Sequence, residues 1–304
     1  MRIVFAGTPD IAIPTLDRLS SEFEVVSVIT RGDAPRGRKR EMTPSAVADR
    51  ATELGLPIIK TTVFTEDVLA TLRSNQPDVG IVVAFGAIIP EQALIIPRFG
   101  WLNLHFSKLP QWRGASPLQR DIISGAKTAH LTVFELVAEL DAGDVVAVRD
   151  SPLGAHETAG VALGRLGSEG ADLVAEVVRS LESGNLTAVP QQGEITFAPK
   201  LSTADAQLTA RSPVENAYNL FRGVTPEPGA WIQSTSGRIK IIACSPMRDV
   251  HIEPGKASWI QDSVAIGFAD GAVELTHIQP AGKQVMPARE WVRGVQNLND
   301  WSFE

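Results

Sequence analysis

The chain has 304 residues, of which 44% are hydrophobic and 21% charged, with a formal net charge of −7; this length and composition bury a core in one large or two ordinary domains and exclude a disordered chain. No apolar stretch approaches the ~18 residues of a membrane span, and Met1-Arg2-Ile3-Val4-Phe5-Ala6-Gly7 meets a glycine too early for a signal peptide, so a cytoplasmic protein without a membrane is expected. The single cysteine, Cys244, leaves no internal disulfide and no cysteine-based zinc site, and the acidic balance argues against coating nucleic acid by bulk charge while allowing a local basic patch.

The first half alternates strand and helix signals. Residues 3–6 form a short apolar run, followed by Gly7-Thr8-Pro9-Asp10 and a helix-like segment through Leu19. Strand signals follow at 25–29, 57–59, 79–85 and 102–106, with helical segments at 45–54 and 66–72. Continuous apolar strands between helices indicate a sheet buried on both faces. The expected class is therefore α/β, a Rossmann-like, doubly wound, mostly parallel sheet. A long helix is expected over about 158–181, ending at Ser183-Gly184.

Residues 190–203 mix glycine, proline and polar residues without a period. Beyond them, short strand-like runs at 230–233, 239–243, 257–260, 263–268 and 272–278 are separated by turn residues. That spacing suggests a small β-barrel (OB-like) or sandwich. The expected division is a first domain over 1–189, a linker over 190–206 and a β-barrel-like domain over 207–304. Basic residues concentrate at Arg31, Arg36, Arg38, Lys39 and Arg40 against one acid, Asp33, whereas residues 200–304 are near neutral. A charge run of this kind is either a solvated face or a phosphate contact.

Gly7-Thr8-Pro9 lacks the three glycines of a dinucleotide fingerprint, and no G-x-x-x-x-G-K-[ST] loop occurs. A tight turn is the simpler account, so neither NAD nor bound ATP is expected. The informative stretch is Trp101-Leu-Asn103-Leu-His105-Phe-Ser107-Lys-Leu109-Pro110-Gln-Trp112-Arg113-Gly114-Ala115. Side chains alternate along a strand, so Asn103 and His105 share a face. They do so at the C-terminal end, where open α/β sheets bind ligands. Leu140-Asp141-Ala142-Gly143-Asp144 reads either as a turn or as a carboxylate at a site rim.

Asn-x-His, then Ser-x-Leu-Pro, then an aspartate 36 residues after the histidine in an L-D-x-G-D setting, together resemble the folate-dependent formyltransferases. The resemblance runs nearly full length. It includes Phe5-Ala6-Gly7-Thr8-Pro9-Asp10, Val83-Ala84-Phe85-Gly86, Pro110-Gln111-Trp112-Arg113-Gly114-Ala115, the segment Arg222-Gly223-Val224-Thr225-Pro226-Glu227-Pro228-Gly229-Ala230-Trp231, and Gln279-Pro280-Ala281-Gly282-Lys283. The W-R-G-A segment and the C-terminal motifs resemble the members that act on tRNA. Lys108 stands where that family usually has leucine and Phe85 where tyrosine is common, and 225–228 lacks the usual asparagine and tryptophan.

The resemblance implies transfer of a formyl group from 10-formyltetrahydrofolate to the free amino group of methionyl-initiator tRNA, without a metal and without an obligate protein partner. It implies Asn103, His105 and Asp141 as catalytic residues. It implies Phe85, Gly86, Ile88, Ser107, Leu109, Pro110, Asp141 and Asp144 around the folate, and Arg36, Arg38, Lys39, Arg40, Lys200, Arg222 and Lys283 against the tRNA. In acyl transfer Asn103 would donate to the developing oxyanion. His105 would donate to that oxygen or shuttle a proton. Asp141 would orient the imidazole and favour its protonated form, or act on the amine through water. Ser107 either positions groups near His105 or caps the Pro110 loop. The remaining histidines, His130, His156, His251 and His277, read as surface or satisfied core residues. Three rivals stand beside this: a sugar-nucleotide formyltransferase, a formyltetrahydrofolate hydrolase, and a non-catalytic RNA-binding module on the same fold.

Overall fold

The structure is a computed structural model describing residues 1–36, 41–260, 262–294 and 301–304. Two compact units emerge. One comprises Met1–Pro117, Thr128–Pro152 and Leu163–Ala198, the other Leu118–Lys127, Leu153–Ala162 and Pro199–Glu304. Among the described residues no helix is long and apolar enough to cross a membrane.

The chain begins with β1 (Arg2–Gly7), α1 (Ile13–Glu22), β2 (Glu24–Thr30), a small hairpin of β3 (Ala34–Arg36) and β4 (Glu41–Thr43), α2 (Ala46–Glu53), β5 (Ile58–Lys60), α3 (Glu66–Ser74) and β6 (Val79–Val83). It continues through α4 (Glu91–Leu94), β7 (Trp101–His105), β8 (Arg113–Gly114), α5 (Pro117–Ile123), β9 (Thr128–Glu135), β10 (Val145–Pro152), α6 (Ala159–Glu182) and β11 (Phe197–Ala198). The main sheet runs β10-β9-β7-β6-β1-β2-β5. The five strands from β7 to β5 are parallel, while β9 and β10 are antiparallel additions. The expected class holds, with a mixed edge that the sequence reading did not assign: polar His130 and Thr132 break the apolar run of β9.

Local chemistry explains the elements. All five residues of β6 are buried, as a strand covered on both faces requires. Ser45 starts α2 by accepting a hydrogen bond from the Ala48 backbone N–H at 3.0 Å, an N-cap that satisfies one orphan donor. Strand order reverses between β1 and β6, which opens a crevice at their C-terminal ends. There Thr8 Oγ1 donates to the Phe85 carbonyl at 2.9 Å.

Helix α6 decides which face of β7 stays available. A Cβ on Gly170 would lie 2.5 Å from Leu104 Cδ2, so glycine lets α6 close on the Leu104 side. Trp101, Asn103 and His105 occupy the other face, where Trp101 joins Val4, Ala6, Val82 and Phe85 in one apolar cluster. Residues 189–198 also belong to this unit. Val189 exchanges backbone hydrogen bonds with Val145, and the Arg113 and Ala115 N–H groups donate to Thr196 and Ala198.

In the second unit α7 (Val214–Gly223) precedes β12 (Trp231–Ser234), β13 (Gly237–Met247), β14 (Ala257–Ile260), β15 (Ser263–Phe268), β16 (Gly271–Pro280), β17 (Met286–Pro287) and α8 (Ala288–Arg293). The antiparallel order is β12-β13-β16-β15-β14, with β17 paired to β16. The chain terminus laces the two edges together: Ser302 bridges Lys256 and Phe303 bridges Ser234. That closure makes the sheet a barrel, filled by Ile232, Ile241, Val264, Ile266, Leu275 and Ile278. β13 reaches eleven residues because irregularities around Ala243 let it bend around the core. Buried Cys244 packs there too, and burial pushes its thiol far above the usual range.

Candidate active site

The parallel strand β7 ends at His105, 5% exposed. Asn103 is half-buried on the same face, with Val82 and Phe134 as its cross-strand neighbours. Phe134 also meets the imidazole edge-on, with ring centroids 6.1 Å apart.

His105 Nε2 lies 3.0 Å from the Trp112 carbonyl oxygen. A carbonyl only accepts, so Nε2 carries the proton and the neutral ring presents a bare Nδ1. Nδ1 in turn faces Asp141 Oδ2 at 3.9 Å, too far for a direct hydrogen bond. Burial lowers the His105 pKa from its ordinary value, outweighing the nearby Asp141 charge and the Trp112 hydrogen bond, which act the other way. Asp141 acts in the expected direction, favouring the imidazolium, but desolvation outweighs it and the net shift is toward the neutral ring.

Asp141 reaches the site by an unexpected route. Glu135, the last residue of β9, pairs with Leu102, at the opposite end of β7 from His105. The connection to β10 folds back over the strand to return the carboxylate. Gly143 permits the fold, since a Cβ there would stand 1.7 Å from the Glu135 carbonyl oxygen. Asp141 itself adopts φ +46°, a left-handed conformation tolerated by Asp better than by most residues. It is 8% exposed, and its Oδ2 accepts from the Gly114 backbone N–H at 2.7 Å. Gln191 Nε2 donates to the Asp141 and Gly143 carbonyls, both at 2.8 Å. Gln191 Oε1 accepts from Arg113 Nη2 at 2.9 Å and Nε at 3.3 Å. Buried Arg113 is held on its other side by Glu139 Oε1 at 2.9 Å.

The residues expected around a folate divide into walls and rim. Phe85, Leu109 and Pro110 are buried. Ser107 is fully buried, and its hydroxyl donates to the Gln111 carbonyl at 2.6 Å. That bond is the loop-capping alternative, and it commits the hydroxyl proton. At the rim, Gly86 has φ +77°, and a Cβ added to it would meet nothing within 4 Å. Ile88 beside it is 88% exposed. Leu140 is exposed as well, Asp144 is half-buried and Lys108 is exposed. The Asp144 carbonyl accepts from the Glu135 N–H at 2.9 Å. Partial burial, and then the Asp144 charge, raise the Glu135 carboxyl above its ordinary value.

Of the residues expected against tRNA, Arg38, Lys39 and Arg40 lie outside the described residues, as does the side chain of Arg36. Lys200 and Lys283 are exposed. Arg222 is a correction: it is 3% exposed and donates to Asn219 Oδ1 at 2.6 Å and to the Gly154 and Glu157 carbonyls at 3.3 Å. Its guanidinium supports the second unit's interior instead of facing phosphate. His130 pairs with Asp150 at 2.7 Å and His156 with the Tyr218 hydroxyl at 2.8 Å, as satisfied residues do. Among the described residues no group of three or more His, Cys, Asp or Glu is placed to hold a metal ion.

Sequence reasoning did not find Gln191 or the structural parts played by the Trp112 carbonyl, the Gly114 N–H, Arg113 and Glu139. Arg113 and Gly114 sit in a quoted motif, but their partners lie far away in the chain, and Gln191 falls within the aperiodic stretch.

Comparison with known proteins places this site in context. Residues 1–178 match the formyl transferase family and residues 200–296 the formyl transferase C-terminal domain. A methionyl-tRNA formyltransferase of Leifsonia xyli subsp. xyli is 47% identical over 294 residues, covering 97% of each chain. Among solved structures, methionyl-tRNA formyltransferase from Clostridium thermocellum superposes with a TM-score of 0.56 at 18% identity, over 81% of this chain and 93% of that one. HypX from Aquifex aeolicus in complex with tetrahydrofolic acid does so with a TM-score of 0.68 at 19% identity, over 96% of this chain but only 47% of HypX. These two structural likenesses are likenesses of fold.

Proposed function

The chain belongs to the formyl transferases, and from that premise we propose that it moves the formyl group of 10-formyltetrahydrofolate onto the free amino group of methionyl-initiator tRNA in the cytoplasm. The observation that carries the proposal is the gap between His105 and Asp141. Two acceptors, a bare imidazole Nδ1 and a carboxylate oxygen, face each other at 3.9 Å. Oδ2 already accepts from the Gly114 N–H, so among the described residues the bare Nδ1 is the acceptor left open, and an attacking amine is a donor with protons to lose. The full-length likeness to a methionyl-tRNA formyltransferase supports methionyl-tRNA as the source of that amine.

The residues present fit a folate. Phe85 walls the loop after β6, the space beside Gly86 is open, and the exposed apolar side chains of Ile88 and Leu140 suit a flat heteroaromatic ring. The folate supplies the formyl group on its N10. Asn103 donates its amide hydrogens to the formyl oxygen as negative charge develops there, an interaction that strengthens in the transition state. His105 Nδ1 takes the proton that the amine loses on forming the new C–N bond. It returns that proton to the nitrogen released when the old C–N bond breaks, so the ring ends neutral as it began. Asp141 stabilises the transient imidazolium and orients the amine.

Exposed Lys200 and Lys283, together with Arg36, Arg38, Lys39 and Arg40, are the proposed phosphate contacts. They supply affinity and not base reading, and discrimination falls to the shape and unpaired bases of the acceptor end.

The test is formyl transfer from 10-formyltetrahydrofolate to methionyl-initiator tRNA, beside methionyl-elongator tRNA and a control without tRNA. Formylation confined to the initiator is expected. Equal use of both tRNAs would remove the acceptor selectivity, loss of formyl groups without tRNA would indicate a hydrolase, and no reaction would overturn the proposal.

A further inference from the structure

We infer that Gln191 is a positioning residue for the transfer reaction, holding the Asp141 loop at the spacing from His105 that receives the amine. The inference rests on the assignment of Asp141 to the reacting site.

The orientation of the Gln191 carboxamide is fixed by its neighbours. Arg113 only donates, so Oε1 must face the guanidinium. The Asp141 and Gly143 carbonyls only accept, so the NH2 must face them. Both amide hydrogens and the amide oxygen are therefore committed, the latter to a forked contact with Arg113. Arg113 is clamped by Glu139, within the same connection that carries Asp141. The backbone supporting Gln191 is pinned by the reciprocal Val145–Val189 hydrogen bonds at 2.8 and 2.9 Å. The brace thus ties the loop to a segment fifty residues downstream.

The loop needs such a tie. Asp141 has φ +46°, a conformation an unbraced loop abandons readily. Rotation of that one peptide would swing the carboxylate away from His105, and displacements near 1 Å at a reacting centre can cost roughly a hundredfold in rate. Among the described residues Gln191 hydrogen-bonds to Arg113, Asp141 and Gly143 and not to His105 or Asn103, so its influence passes through Asp141.

The test compares Gln191→Leu, Gln191→Glu, Asp141→Asn and the Gln191→Leu/Asp141→Asn double variant by steady-state transfer kinetics with both substrates, alongside thermal unfolding. Gln191→Glu is isosteric and keeps the acceptor for Arg113, but it loses both donations and sets a carboxylate against two carbonyl oxygens. Expected is a fall in kcat of about 10-fold or more for both single Gln191 variants, with KM for folate and tRNA changed less than about twofold. Gln191→Leu should then cost little more once Asp141→Asn is present, because both act through one carboxylate. Wild-type kcat in Gln191→Glu, or a full additional loss in the double variant, would overturn the inference while leaving the site intact. Near-normal turnover in Asp141→Asn would instead remove Asp141 from the site, and the brace with it.

Discussion

Asn103 and His105 stand on a strand, whereas Asp141 stands on a loop, and the two regions reach the same site by different physics. The strand needs only its pleat. Residues two apart share a face, and α6 closing over Leu104 through Gly170 leaves the polar pair to the crevice. The loop has no such period. It is shaped by a glycine that no side chain could replace, a left-handed aspartate, the Gly114 N–H and the Gln191 amide. Strand-borne groups are placed by local geometry, while the loop-borne group is placed by hydrogen bonds from distant parts of the chain.

The strand half breaks most visibly at His105. His105→Ala should lower kcat by on the order of 10³-fold with tRNA affinity nearly unchanged, measured by single-turnover transfer and direct binding. Turnover near wild type would end the catalytic assignment. Asn103→Ala should cost about 10²-fold in kcat, the range for losing one oxyanion donor. An effect confined to KM would mean that Asn103 binds ground state and transition state alike.

On the loop half, Gly143→Ala must displace backbone, because the added Cβ meets the Glu135 carbonyl at 1.7 Å. A stability loss of about 2 kcal/mol or more is expected, read from chemical denaturation, together with reduced kcat. Unchanged stability would mean that the loop has a second conformation that avoids this clash.

The smallest effect distinguishes the two halves by sign. Burial on the strand lowers the His105 pKa from 6.5, so between the folded value and 6.5 the unfolded chain binds more protons than the folded one. This contribution to stability is fully present above pH 6.5, declines as pH falls through 6.5 toward the folded value, and levels off beneath it. Denaturation midpoints measured from pH 7.5 downward should show that decline, and His105→Asn should flatten it. Were Asp141 in control instead, the His105 pKa would be raised and the contribution would decline as pH rises.

The parallel strands were legible because their apolar runs are continuous, and the run at 79–85 announced β6, which ends at Val83. The same rule placed Asn103 and His105 together. β9 went unassigned because His130 and Thr132 interrupt its pattern, although Thr132 is buried and donates to the Ser107 carbonyl at 2.6 Å. Asp141 was legible as a residue through its resemblance to a known motif, but the return of its loop along β7 was not, since nothing local records where the connection between β9 and β10 folds. Arg222 misled for a related reason. A basic residue in a quoted motif looks like a phosphate contact until its partners Asn219, Gly154 and Glu157 are seen around it.

The lacing of the barrel by Ser302 and Phe303 sets a clock on synthesis. Ser234 leaves the ribosome about 70 residues before the segment that pairs with it, several seconds at roughly 5–20 residues per second. During that interval the edges of β12 and β14 lack the tail that later covers them. Unpaired strand edges invite pairing with other chains. The second unit thus carries open edges until the segment at 301–304 has been made.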